Sequence, residues 1–409
     1  LPSAPRRKLF RNVTSTTQPH PQEAIAGETQ HVPELDGVRG LAILAVMLSH
    51  GVAMLGAVPR GVPGQTAAAF VNAIFTPGWG GVDLFFTLSG FLITGILLRT
   101  RARPTYFKSF YARRVVRIFP IYYLFLIFTL LVAKLSPTFA AHVPASWMER
   151  LSYFLYVQNW PVFWQSWAGL GSLWGAYWSL AVEEQFYMVW PAVVRFVSIR
   201  TMLCLCVAGF LLGWPERALM IHLHGMSFGL MQWPFSRLDG LFLGAAIALY
   251  RELYGRPVPK TWAVAAVAAG AVMWLGIVLF HAEQLQGAGV QLWERGVTGF
   301  ALMSGGLIAL THYKVPSLQR ALTVRALLLA GRLSYGMYVY HLCIYWVFTG
   351  VWRHALYPRF GDVFHPLAAF FFIAAAIVTT TAVAWLSFRY IESPFLRLKR
   401  YFPSAPAPL

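Results

Sequence analysis

Ten apolar runs constrain this sequence more than any other feature: about 38–58, 78–98, 119–136, 172–194, 199–213, 237–250, 261–281, 293–312, 333–353 and 366–388. Most reach the ~20 residues that a helix needs to cross a hydrocarbon core. The fifth and sixth are short. The fold expected is therefore all-α, a polytopic transmembrane bundle of about ten spans with both termini cytoplasmic. Composition points the same way: 57% of residues are hydrophobic and 12% charged, where a soluble domain carries about 25% charged residues.

The 33 Lys and Arg outnumber the 15 Asp and Glu, for a net charge of +18. In a soluble chain that excess would suggest nucleic acid. With the N-terminus placed in the cytoplasm, 25 of the 33 cations fall on cytoplasmic segments and the remaining eight outside. That is the positive-inside bias, and dropping one span would scramble it. The expected partners thus include membrane lipids and no nucleic acid. Residues 1–33 hold Arg6, Arg7, Lys8 and Arg11 and then a Ser/Thr/Pro/Gln-rich run, which reads as a disordered basic tail. Residues 34–396 form the membrane domain, and 397–409 a short cytoplasmic tail. The outer connection 137–171 carries Trp147, Trp160, Trp164 and Trp167, which suit the interface. Cys204, Cys206 and Cys343 lie in apolar segments and form neither a disulfide framework nor a metal-ligand pattern. No metal is expected.

An ionisable residue within a span costs roughly 2.5–3.5 kcal/mol on insertion scales, so each one needs a reason. Arg39 and His50 are eleven residues apart, close to three helical turns, and share a face with Ile43 and Val46. His50 either bonds to a neighbouring helix or serves as a general base. Asp83 either reaches headgroups or lines a polar cavity. Ser89 sits among glycines that let helices approach closely. Arg99–Arg117 holds seven cations among aromatic residues. It either lies on anionic lipid or, through Arg113, Arg114 and Arg117, grips the phosphates of a nucleotide-containing ligand. Glu183 and Glu184 are adjacent inside an apolar span, which packing explains poorly. Arg237 and Asp239 open another span, as an internal ion pair or as part of a site. Counted along the helix rise, His50, Glu183, Asp239 and His341 come to similar depth, as a buried reaction chamber requires.

These residues fall in motifs. They are Arg39 with His50; Phe85-Phe86-Thr87-Leu88-Ser89-Gly90; Arg114-Val115-Val116-Arg117; Trp178-Ser179-Leu180 through Glu183-Glu184-Gln185-Phe186-Tyr187; Arg237-Leu238-Asp239-Gly240; Ser334-Tyr335 through Tyr338 and His341; and Tyr390-Ile391-Glu392-Ser393-Pro394-Phe395. In this order, over about residues 34–396, the sequence resembles the membrane acyltransferase-3 family of bacterial O-acyltransferases. It looks like the stand-alone form, without an appended hydrolase-like domain. Members often carry a histidine where this chain has Ala176.

The resemblance implies a multi-pass enzyme of the cytoplasmic (inner) membrane. It would transfer an acyl group, usually acetyl, from cytoplasmic acyl-CoA to a hydroxyl of an envelope glycan or a lipid-linked sugar. Some relatives acylate macrolides or other small molecules instead. His50 would deprotonate the acceptor or carry the acyl group itself, with Glu183 or Glu184 orienting it. Arg39, Arg113, Arg114 and Arg117 would hold the coenzyme phosphates, and its thin arm would run along the face shared by Arg39 and His50. Asp83, Trp178, Arg237, Asp239 and His341 would shape the acceptor pocket, with Ser89, Tyr338 or a backbone amide as a candidate oxyanion donor. The competing class is a transporter or flippase of a polar lipid, which midplane ionisable residues also suit. The absence of an internal repeat and the one-sided arginine cluster argue against it.

Overall fold

The computed structural model describes residues 32–55, 76–160, 172–281, 292–356 and 365–402. Among them are ten helices of fifteen residues or more, one for each apolar run: α1 Pro33–Leu55, α2 Gly81–Thr100, α3 Tyr106–Leu135, α4 Trp178–Phe196, α5 Ile199–His224, α6 Leu238–Tyr254, α7 Lys260–His281, α8 Val297–Thr311, α9 Arg325–Val351 and α10 His365–Ser387. The chain is a polytopic helical membrane protein. Six segments are long and apolar enough to cross a bilayer on their own, drawn from α1, α2, α3, α5, α7 and α10. The other four differ for visible reasons. α6 and α8 have only 17 and 15 residues. α4 carries Glu183, Glu184 and Arg195, and α9 carries Arg325, Arg332 and His341.

The described residues from Pro33 on form one compact unit. Apart from Val32 and Pro33, the expected basic tail lies outside the described residues. Several expected boundaries move. α3 begins at Tyr106 and runs through Pro120, so Arg113, Arg114 and Arg117 are helical rather than part of a loop. A proline inside a helix removes one backbone hydrogen bond. Packing compensates here, because Ile118, Ile121, Tyr122 and Phe125 are buried along one side of α3. On its other side Leu124, Phe128, Leu131 and Leu135 are exposed, the helical spacing expected of a face turned to lipid. α5 continues through Pro215 to His224, eleven residues beyond the expected end at 213. It starts at once after α4 because Ser198 breaks the first helix and caps the second, accepting from the Thr201 N–H at 3.2 Å. α4 begins only at Trp178; residues 172–177 are turns. In the outer connection, Trp147–Phe154 is a short helix with Trp147, Met148 and Leu151 exposed, and 161–171 lies outside the described residues.

Glycines bring two helix pairs into backbone contact. A methyl group on Gly331 of α9 would collide with the Asp36 carbonyl of α1, and one on Gly244 of α6 would collide with the Thr87 carbonyl of α2. Close approach through small residues is how helices associate in lipid, where apolar burial supplies no driving force between them. The α1–α9 and α2–α6 crossings place the polar side chains described next.

Candidate active site

The α1–α9 crossing brings together His50, near the end of α1, and His341, in the middle of α9. His50 Nδ1 lies 2.8 Å from His341 Nε2, and the rings are nearly parallel at 8°. His341 Nδ1 lies 2.6 Å from the Tyr338 carbonyl oxygen. A carbonyl only accepts, so His341 Nδ1 carries the proton. In a neutral imidazole the other nitrogen is then an acceptor. His341 Nε2 therefore accepts from His50 Nδ1–H, which leaves the lone pair of His50 on Nε2. That nitrogen has no hydrogen-bond partner among the described residues. His341 is fully buried, while His50 is partly exposed. The turn around His341 is pinned on both sides. Tyr345 donates to the Met47 carbonyl at 2.8 Å, Tyr177 donates to the Val339 carbonyl at 2.7 Å, and Tyr338 donates to the Ala176 carbonyl at 2.8 Å.

Glu183 does not orient His50. Ser89 donates to Glu183 Oε1 at 2.7 Å. The Tyr187 hydroxyl lies 3.1 Å from Oε2 and 3.0 Å from Ser89 Oγ, its single proton shared between them. The partner of His50 is His341, which the sequence placed among the acceptor contacts. The reason is helix order: α1 crosses α9, whereas Glu183 on α4 faces Ser89 on α2. Glu184, one position on, is also buried and lies in the field of Arg114. The Ser89 and Tyr338 hydroxyls, considered as oxyanion donors, are both engaged within the protein.

A second polar group joins α2, α5, α6 and α8. Arg237 and Asp239 do not pair with each other. Arg237 Nη1 donates to Asp83 Oδ1 at 3.1 Å, and Arg217 Nη2 donates to Asp239 Oδ2 at 3.0 Å. Both pairs are almost fully buried, where breaking one partner leaves an uncompensated charge. The Arg237 guanidinium lies 4.5 Å from the Trp293 ring, 4.9 Å from Trp178 and 5.8 Å from Trp79. This group adjoins the histidines through the first turn of α4: Trp178 faces Arg237, and Ser179 hydrogen-bonds the Tyr338 hydroxyl. Sequence reasoning missed Arg217, because an α5 ending at 213 left it outside the membrane. It also missed Trp79 and Trp293, whose role appears only through contact.

At the other end of α1, Arg39 donates to Asp36 at 2.6 Å, and Arg114 and Arg117 lie within its field. Arg114 reaches inward, its guanidinium 5.0 Å from the Tyr187 ring and 5.7 Å from Phe110. Arg113 donates to the Phe402 carbonyl at 3.1 Å. A crevice between the end of α2 and the start of α3 is walled by Ile96, Thr100, Arg103, Tyr106, Arg113 and Arg114. Among the described residues no three His, Cys, Asp or Glu side chains gather as metal ligands would.

The cations at one end and the paired histidines deeper in the bundle are features of this chain's own geometry. Comparison with known proteins gives the family. A family described as an acyltransferase domain, acyltransferase 3, matches residues 32–389. The chain belongs to the acyltransferase-3 family. It is 27% identical over 383 residues to the peptidoglycan O-acetyltransferase OatA of Listeria monocytogenes, covering 89% of this chain and 56% of that protein. It is 25% identical over 398 residues to the putative peptidoglycan O-acetyltransferase YrhL of Bacillus subtilis, covering 90% and 56%. It is 25% identical over 392 residues to the O-acetyltransferase OatA of Staphylococcus aureus, covering 89% and 57%. The match spans a little over half the length of these relatives. No solved structure matches the chain.

Proposed function

We propose that this acyltransferase-3 protein is an O-acyltransferase of the cytoplasmic membrane. It moves an acetyl group from cytoplasmic acetyl-CoA to a hydroxyl of an envelope glycan or lipid-linked sugar. The observation that carries the reading is the histidine pair, which leaves a basic nitrogen on His50 without a partner among the described residues. The ten helices serve as ten spans, an even number that keeps both termini on the cytoplasmic side, as the distribution of Lys and Arg favours. The relatives named as O-acetyltransferases support acetyl as the group and a glycan as the acceptor.

In this mechanism His50 Nε2 takes the proton of the acceptor hydroxyl. The oxygen attacks the thioester carbonyl carbon. The new C–O bond forms, the C–S bond breaks, and the thiolate leaves and recovers the proton from His50 Nε2. While His50 is protonated, its Nδ1–H still donates to His341 Nε2, so the ring keeps its orientation through the step. His341 is thus a positioning residue. Arg39, Arg113, Arg114 and Arg117 hold the coenzyme phosphates. Asp83, Trp178, Arg237 and Asp239 frame the acceptor side, where aromatic faces and carboxylates suit a sugar. Glu183, Ser89 and Tyr187 form a fixed polar wall between the two ends, and Glu184 holds the field around Arg114.

The test is transfer of labelled acetyl from acetyl-CoA to an acceptor glycan by the purified protein in nanodiscs. His50→Ala should abolish transfer while coenzyme binding persists, and undiminished transfer refutes the base assignment. Label held on the wild-type protein without acceptor, and lost in His50→Ala, would mean that Nε2 carries the acetyl group itself. A flippase predicts no transfer at all.

A further inference from the structure

Residues 397–409 were expected to be a short cytoplasmic tail; the segment Phe388–Tyr401, which includes its start, packs along α3. The backbone beyond them is tied down where the Phe402 carbonyl accepts from Arg113 at 3.1 Å. This packing brings Lys399 into the field of Arg113, Arg114 and Arg117. Lys399 is half-buried, whereas its neighbours Leu398 and Arg400 are exposed. Among the described residues no carboxylate lies within ion-pair distance of Lys399, Arg113, Arg114 or Arg117. Arg39, in the same field, is the one cation of the group with such a partner, Asp36. Glu392 lies in the field of Arg117 and Lys399, and its Oε1 is buried without a hydrogen bond among the described residues.

Cations held close together repel, and an anion among them offsets that repulsion; Glu183, Glu184 and Glu392 act on this group, but among the described residues none reaches ion-pair distance of Lys399, Arg113, Arg114 or Arg117. One phosphate would not match the set. Arginine forks grip phosphate oxygens from two directions, and a lysine adds a compact point charge with three donors. We propose that Ser393–Phe402 forms one wall of a polyphosphate site, and that Lys399 is a direct ligand of a phosphate there. The ligand class is a nucleotide bearing more than one phosphate group. The proposal rests on the donor reading above and adds to it a residue and a chain segment. A bilayer headgroup fits less well, because Arg397 and Arg400 are the exposed cations of this segment, while Lys399 is half-buried within the field of the α3 arginines.

The experiment titrates adenosine 3′,5′-bisphosphate into the full chain in phosphatidylcholine nanodiscs, with Lys399→Ala, Lys399→Arg and Arg114→Ala beside the wild type. Lys399→Ala should weaken binding about tenfold, as expected for a charge-assisted contact, and Lys399→Arg should stay within about threefold, both with unchanged thermal melting. If Lys399→Ala binds like wild type while Arg114→Ala does not, Lys399 is no ligand, and the donor reading survives. If Lys399→Arg is as poor as Lys399→Ala, the side chain matters for packing rather than charge, and the proposal falls. If nucleotide binding is intact but Lys399→Ala loses retention of phosphatidylglycerol in mixed nanodiscs, Lys399 is a headgroup contact. If the wild type does not bind the nucleotide, the donor reading falls with the proposal.

Discussion

Replacing His341 tests the histidine pair most directly, because the expected loss follows from one hydrogen bond. In the structure His341 Nε2 accepts from His50 Nδ1–H at 2.8 Å inside a buried crossing. His341→Ala removes the acceptor, leaving Nδ1–H without a partner and the ring free to turn or to carry its proton on Nε2. Either change takes the lone pair away from the acceptor hydroxyl. An unmade buried hydrogen bond costs ~1–3 kcal/mol, and at ~1.36 kcal/mol per tenfold in rate this is a loss of about 5- to 150-fold in kcat. The KM for acetyl-CoA should hold within about twofold, since the proposed phosphate ligands are elsewhere. His341→Gln can present its amide oxygen to the same N–H and should recover part of the rate. His50→Ala, which removes the base, should cost more, about 100- to 10,000-fold. The assay is steady-state transfer of labelled acetyl at saturating acceptor, with melting curves to show that each variant is folded. A folded His341→Ala enzyme with wild-type kcat refutes the tautomer argument. So does a His341→Gln no better than alanine, because the two differ in the acceptor atom that the argument requires.

Three further outcomes follow from other parts of the molecule. The double variant Arg114→Ala, Arg117→Ala should raise the KM for acetyl-CoA about tenfold or more, and an unchanged KM would assign these arginines to lipid. Asp239→Ala strands the buried Arg217 cation and should cost about 3–5 kcal/mol, read as a large fall in melting temperature or loss of folded protein; a melting point equal to wild type would show that the pair is not structural. Gly331→Ala should lower the melting temperature by forcing α9 away from the Asp36 carbonyl, while Gly350→Ala on the same helix, with nothing within 4 Å, should leave it unchanged.

The ten helices were legible because apolar length is a one-dimensional signal, and each run became a helix at the place expected. Boundaries were less legible where packing overrode local preference, as at Pro120 in α3 and Pro215 in α5. The unusual residues were visible for the same reason, since a charge in an apolar span stands out. Their partners were not. Similar depth placed His50, Glu183, Asp239 and His341 together, but depth says nothing of which helix faces which. The α1–α9 crossing joins the histidines, and the α2–α4 contact takes Glu183 to Ser89. Arg237 and Asp239, two residues apart, look like partners in the sequence yet turn to different helices.

The route of the donor arm changes for a physical reason. The face of α1 between Arg39 and His50 offered a path in the sequence, but Ile43 and Val46 on that face are fully buried at 0% exposure and belong to the core. α4 offers a better one. Ser179, Glu183 and Tyr187 are spaced by four and share a face over ~12 Å of helix. Arg114 lies against Tyr187 at one end of this stripe, and at the other end Ser179 meets Tyr338, one turn from His341. A thin arm with amide groups needs hydrogen-bond partners along its length, and apolar packing supplies none. The stripe on α4 supplies them between the cations and the histidines. Glu183→Ala should therefore slow transfer from acetyl-CoA while leaving binding of adenosine 3′,5′-bisphosphate intact, because the proposed phosphate ligands lie beyond Tyr187. Equal loss of both would mean that Glu183 supports the cation cluster through Arg114 and that the arm takes another path.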